Sequence, residues 1–176
     1  VLAGIKWYIV GLPDNAVRES LQRIFSAYRT MGYEMPNKKL IINLAPADIR
    51  KEGTAFDLPI ALGILAGSGQ MRSDRFLDFI VMGELGLDGI LQPIKGALPI
   101  ALQARKEGFK GMVLPEQNAL EASVIEGFEV YGAKDLRQVV AFFNGSQELQ
   151  PTCVSARDLL FSDYGRYEVD FNDVKG

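Results

Sequence analysis

Apolar and polar positions alternate along this chain in segments that change period. Residues 5–10 (IKWYIV) are β-branched and aromatic, which predicts a strand. Pro13 is expected in the first turn of a helix whose apolar positions Val17, Leu21, Ile24, Phe25, Tyr28 and Met31 fall at helical spacing. Gly32 is positioned to end it. Residues 39–44 (KLIINL) predict a second strand, and Ala45 to Phe56 lack periodicity, as a polar loop does. Asp57 is then expected to cap a helix with Pro59 in its first turn; the run to Ala66 is apolar nearly all round, which predicts burial.

The second half has shorter elements. Residues 77–82 predict a strand, and GELGLDGILQPI (83–94) has the period-2 pattern and Asp88-Gly89 turn of a hairpin. A helix is expected from Gly96 to Lys106, closed by Gly108, then a strand at 111–114 and a short helix opened by Pro115. Residues 128–131 predict a strand; Leu136, Val139, Val140 and Phe143 predict a last helix. After Gly145 the pattern dissolves into mixed charges and isolated apolar residues, as in a linker that needs a neighbour to pack against. No internal repeat is visible.

Composition narrows the chemistry more than the class. With 176 residues, 48% apolar and 23% charged, the chain is ordinary globular material. A net charge of −3 gives no electrostatic reason to expect nucleic acid on this piece alone. Cys153 is the sole cysteine and there is no histidine, so Ser-His-Asp and Cys-His catalysis and a cysteine-based zinc site are excluded. No apolar run is long enough to span a membrane. The first residue is Val1, inside strand material, from which an excised fragment and a cytoplasmic home are expected.

Few motifs for chemistry stand out along the chain. The phosphate-loop pattern with its Gly-Lys-Ser/Thr ending is absent. GSGQ (67–70) follows a helix and reads as its C-terminal turn. Asp48, Glu52 and Asp57 cluster near one loop, but without further converging oxygens they read as caps and solvated charges rather than a metal site. The catalytic option left is a Ser/Thr-Lys dyad, in which a lysine of lowered pKa acts as base.

At that point two segments become specific. EGTAFD (52–57) resembles the Asp-Gly-Pro-Ser-Ala-Gly nucleophile turn of Lon-type peptidases, and GELGLDGILQPIKGALPIALQARKEGF (83–109) resembles the Lon hairpin and the helix bearing the base. The serine position falls on Ala55 and the lysine position on Leu98. Thr54 lies one residue early and Lys95 three, so a shifted Thr54–Lys95 pair is the alternative peptidase reading. Adjacent residues on an extended turn point in different directions, and three residues at a helix start rotate a side chain by most of a turn.

More of the chain resembles the YifB/ComM group of magnesium chelatase-like AAA+ ATPases. The segments are IVGLPDNAVRES (9–20), INLAPADIRKEGTAFDLPIALGILAGSGQ (42–70), residues 83–109, VLPEQNALEASVIEGFEVYG (113–132) and DFNDVKG (170–176). The resemblance implies an α+β fold of the ribosomal protein S5 domain 2-like kind, a mixed sheet and helices in two layers. It implies a Lon-like domain over 1–145, lacking its N-terminal strands, and a linker over 146–176 into an AAA+ domain beyond Gly176. ATP and Mg would belong to that motor. The implied partners are the motor itself, a homo-hexamer, and DNA through the whole protein, with no membrane. The ComM members imply branch migration in natural transformation. For this piece it implies no catalytic, cofactor or metal residue, with Arg50, Lys51, Glu52 and Asp57 as a candidate interaction loop and helix cap. Direct DNA contact by short basic pairs such as Arg50-Lys51 and Arg105-Lys106 is the third reading.

Overall fold

Asp14, not Pro13, starts the first helix. In the computed structural model, which describes residues 7–72 and 74–153, the Asp14 carboxylate accepts the Val17 amide at 2.8 Å. Pro13 lies one residue outside, bridged to Lys51. The helix α1 (Asn15–Met31) buries Val17, Ser20, Ile24, Ala27 and Tyr28, and Gly32 ends it in the left-handed conformation at φ 82°.

β1 (Trp7–Val10) precedes α1 and pairs in parallel with β2 (Leu40–Asn43), Trp7 opposite Leu40 and Val10 opposite Asn43. α2 (Asp57–Gly67) buries Leu58, Ile60, Ala61, Leu62, Ile64 and Leu65, as an all-apolar helix should. One side stays open, at Gly63 and Gly67. Phe76–Asp78 form a 3₁₀ turn where strand was expected, and β3 is confined to Phe79–Val81.

The predicted hairpin is present in short form. β4 (Glu84–Leu85) and β5 (Leu91–Gln92) are antiparallel. The Asp88 carboxylate accepts the Ile90 amide at 3.1 Å, and Gly89 sits at φ 85°. α3 (Ala97–Lys106), β6 (Gly111–Pro115), α4 (Glu116–Ala122), β7 (Glu129–Ala133) and α5 (Leu136–Asn144) follow. β7 lies a residue or two later than the sequence pattern places it.

β3, β6 and β7 form a parallel sheet in the order β3-β6-β7. Alternate residues of β6 enter two cores. Val113 joins Ile24, Leu58, Leu62, Leu85 and Phe142 on one side, while Met112 and Leu114 join Ala101, Ala104 and Val130 on the other. This sheet is therefore covered on both faces, as parallel sheets generally are, where two layers were expected. The architecture is mixed, with parallel strands, one antiparallel hairpin and packed helices, consistent with the α+β expectation.

Contacts with the domain continue into the segment expected as a linker from residue 146. Leu149 packs against the first core, and the Thr152 amide donates to Val130 O at 2.7 Å. The remainder of the tail, including DFNDVKG (170–176), lies outside the described residues.

Candidate functional site

The turn from Arg50 to Asp57 sits against the hairpin. Gly83 clasps it from both sides: its amide donates to Ala55 O at 2.9 Å, and its carbonyl accepts the Leu58 amide at 3.0 Å. A side chain at Gly83 would meet Leu58 at 3.2 Å and Leu91 at 3.4 Å, so the close approach depends on glycine. From the other end, Asp14 reaches the turn. Its second oxygen accepts the Gly53 amide at 3.0 Å, and its own amide donates to Lys51 O at 3.0 Å.

Asp57 is not the side-chain cap the sequence suggests. Phe56 holds the cap position without a side-chain bond, and Asp57 turns inward, fully buried, as the first residue of α2. Arg23 of α1 grips it with two nitrogens, at 2.6 Å to one oxygen and 2.8 Å to the other. The Leu85 amide of β4 donates to the same carboxylate at 3.1 Å. One side chain thus ties α1, α2 and the hairpin together. Burial pushes the Asp57 carboxyl above its ordinary value, opposed by the Arg23 guanidinium and the Leu85 amide. In return, the hydrogen bonds to Asp57 push Arg23 higher. Three donors on two oxygens hold the ionised form.

The Arg50–Glu52 stretch divides. Arg50 and Glu52 are exposed and paired with each other at 3.0 Å. Lys51, expected on the surface, is buried. Its ammonium donates to the carbonyls of Pro46 and Ile49, the latter at 2.7 Å, and its backbone joins Leu12 at 3.1 Å. Lys51 therefore braces the loop from inside.

Ala55 and Leu98, expected at the Lon-type serine and lysine positions, lie apart on the turn and on α3. Ala55 is half-buried on the turn, and Leu98 packs against the second core while its amide donates to Glu121 at 3.2 Å. The Thr54 hydroxyl donates to the Glu84 carboxylate. Lys95 is exposed between Ile94, which Asn118 clamps by two 2.9 Å bonds, and Gly96, which opens α3 at φ 78°. No hydrogen bond or ion pair of the Lys95 side chain occurs among the described residues.

Arg23 and Glu84 are the site residues that sequence reasoning missed. The available signal for Arg23 was an arginine in a stripe of small residues, Ala16, Ser20 and Ala27, together with an aspartate heading an all-apolar helix. A carboxylate buried in such a place needs a cation. Among the described residues no group of three or more acidic or sulfur side chains could hold a metal ion. No phosphate-binding loop is present in the sequence either. No helix among the described residues is long and apolar enough to cross a membrane.

A clasped turn, a hairpin and a helix start thus follow one another in the order Arg50–Asp57, β4–β5 and α3. Residues 2–118 match the family model described as subunit ChlI of Mg-chelatase, and the chain belongs to that family. Within it the chain is of the YifB/ComM type. It is 37% identical to competence protein ComM of Haemophilus influenzae over 168 residues, which is 96% of this chain and 33% of that protein. It is 40% identical to YifB of Escherichia coli over 171 residues, 96% of this chain and 32% of the relative. Lon protease 2 of Bacillus subtilis is 26% identical over 127 residues, 72% of this chain and 22% of that protein. The chain spans about a third of the length of the YifB and ComM relatives.

Proposed function

We propose that residues 1–145 are the non-catalytic, Lon-like N-terminal domain of a magnesium chelatase-like AAA+ ATPase, with the S5 domain 2-like topology. In this reading residues 146–176 lead toward the motor, although packing continues to Thr152. The observation that carries it is the state of the turn. Ala55 and Leu98 offer neither nucleophile nor base, and the neighbouring Thr54 hydroxyl is directed at Glu84 rather than at an amine. The turn itself is firmly held: Gly83 clasps it, Asp14 and Lys51 brace it, and Asp57 anchors its end. A geometry held by so many bonds while its chemistry is missing suits a scaffold.

The whole protein is then a cytoplasmic, ATP-driven homo-hexamer acting on DNA. The name of the ComM relative supports a role in competence, and branch migration is the activity we assign. ATP and Mg bind the motor, and this domain contacts it through exposed loop residues such as Arg50 and Glu52; Lys51 and Asp57 serve inside the fold. The competing reading, a Thr54–Lys95 peptidase, would need the Thr54 proton handed to Lys95. Strand-exchange rates of the full-length protein with ATP, for the natural sequence and for Thr54→Val with Lys95→Ala, test the scaffold reading. Equal rates within about twofold are expected; a tenfold loss would give these side chains a chemical role.

A further inference from the structure

β2 has hydrogen-bond partners on one side only. It pairs with β1, and no strand lies on its other edge among the described residues. The Leu44 amide donates to Val10 O at 2.9 Å. By the alternation of a strand, the backbone groups of Leu40 and Ile42 share that side, and those of Ile41 and Asn43 face away from β1. Along this open edge runs a groove of ≈ 340 Å³ whose far wall is α2, at Phe56, Pro59, Ile60 and Gly63. It continues past the start of β2 into a second hollow of ≈ 480 Å³, reaching Lys38, Lys39 and Gly67.

Two features make this a place for a strand. Gly63 and Gly67 stand one turn apart on the open side of α2, and a Cβ added at either would meet nothing within 4 Å. That wall is therefore clear over about one turn of helix. Ile41 and Asn43 also present outward amides and carbonyls with no strand bonded to them among the described residues. The occupant's chemistry follows from the lining. The middle of the groove has no charged residue. Its end holds two lysines, Lys38 and Lys39, against one carboxylate, Glu34, and neither lysine has a carboxylate partner among the described residues.

We propose that the groove between the open edge of β2 and α2 docks an extended peptide segment of a partner protein, apolar along its middle and acidic at the end beside Lys38 and Lys39, as a third strand on β2. The backbone groups of Ile41 and Asn43 supply the ladder, and the helix wall takes the alternate side chains. This goes beyond the scaffold reading, because it assigns a ligand to a surface that reading does not use.

The test is fluorescence polarisation on the 176-residue chain. The probes are a labelled octapeptide Asp-Glu-Leu-Thr-Val-Thr-Ile-Thr and its counterpart headed by Lys-Lys. The acidic probe is expected to bind at least tenfold more tightly, and Lys38→Glu with Lys39→Glu should reverse the preference. Gly63→Leu fills the groove, and Ile41→Pro removes an outward amide while leaving the β1 ladder intact. Each should weaken binding at least tenfold, with circular dichroism confirming that both variants fold. Equal binding of the two probes, or binding indifferent to Gly63→Leu and Ile41→Pro, would overturn the proposal. So would self-association in sedimentation that Gly63→Leu abolishes, which would give the groove to a second copy of the chain.

Discussion

Asp57 and Asp14 hold the turn from opposite ends, and they differ in what surrounds them. Asp57 is fully buried, so removing its partner leaves a charge with no water to replace the guanidinium. Arg23→Met is expected to cost about 3–5 kcal/mol in urea unfolding, as breaking a buried pair does. Adding Asp57→Asn should cost less than the sum of the two single changes, because the stranded charge is gone; strict additivity would mean that the two groups are not coupled. Asp14 is only half-buried. Its carboxyl is held below the ordinary value of 3.8 by the Val17 amide, against desolvation, with the Gly53 amide adding to the effect. A folded-state value below the unfolded one means that Asp14 contributes fully above pH 3.8 and loses its contribution as pH falls through the folded value. Asp14→Ala should therefore cost about 1–2 kcal/mol at pH 7. The gap between its unfolding midpoint and that of the natural chain should narrow as pH falls below 3.8. A constant gap across that range would contradict the capping role.

At the scale of elements, the glycines separate close packing from open space. Gly111 begins β6 where a Cβ would come within 2.2 Å of the Glu129 carbonyl oxygen, a backbone atom that cannot step aside. Gly63 has nothing within 4 Å of the same hypothetical atom. Gly111→Ala should destabilise the β6–β7 pairing by about 2–3 kcal/mol, whereas Gly63→Ala should stabilise α2 by up to about 1 kcal/mol. Thermal unfolding of the two variants reads the contrast directly, and equal shifts would refute it. Elements of this kind were mostly legible in the sequence. The amphipathic period of α1, the all-apolar run of α2 and the Asp88-Gly89 turn each carry their own local signal. Boundaries were less so: Pro13 falls outside α1 because Asp14 supplies the better cap, and Phe76 to Asp78 wind into a 3₁₀ turn before β3.

For the whole molecule, what the sequence could not show is what depends on distant partners. The Arg23–Asp57 pair spans 34 positions, and no pattern within either helix names the other. Lys51 lies in a charged run and reads as solvated, yet its ammonium meets two carbonyls of its own loop, which only the folded loop brings together. The packing of Leu149 and Thr152 against the domain likewise depends on β7 being in place. By contrast, the assignment of Ala55 and Leu98 to the Lon-type serine and lysine positions rests on the ordered motifs of the sequence. The structure adds where the neighbours point: the Thr54 hydroxyl toward Glu84, and Lys95 into solvent.

The scaffold reading proposed above gives this turn no peptidase chemistry. It is tested most directly by turnover of a fluorogenic peptide by the purified chain, beside Thr54→Val and Lys95→Ala variants. The expected result is no turnover above the buffer blank for any of the three. Turnover by the natural chain that both substitutions abolish would contradict the claim.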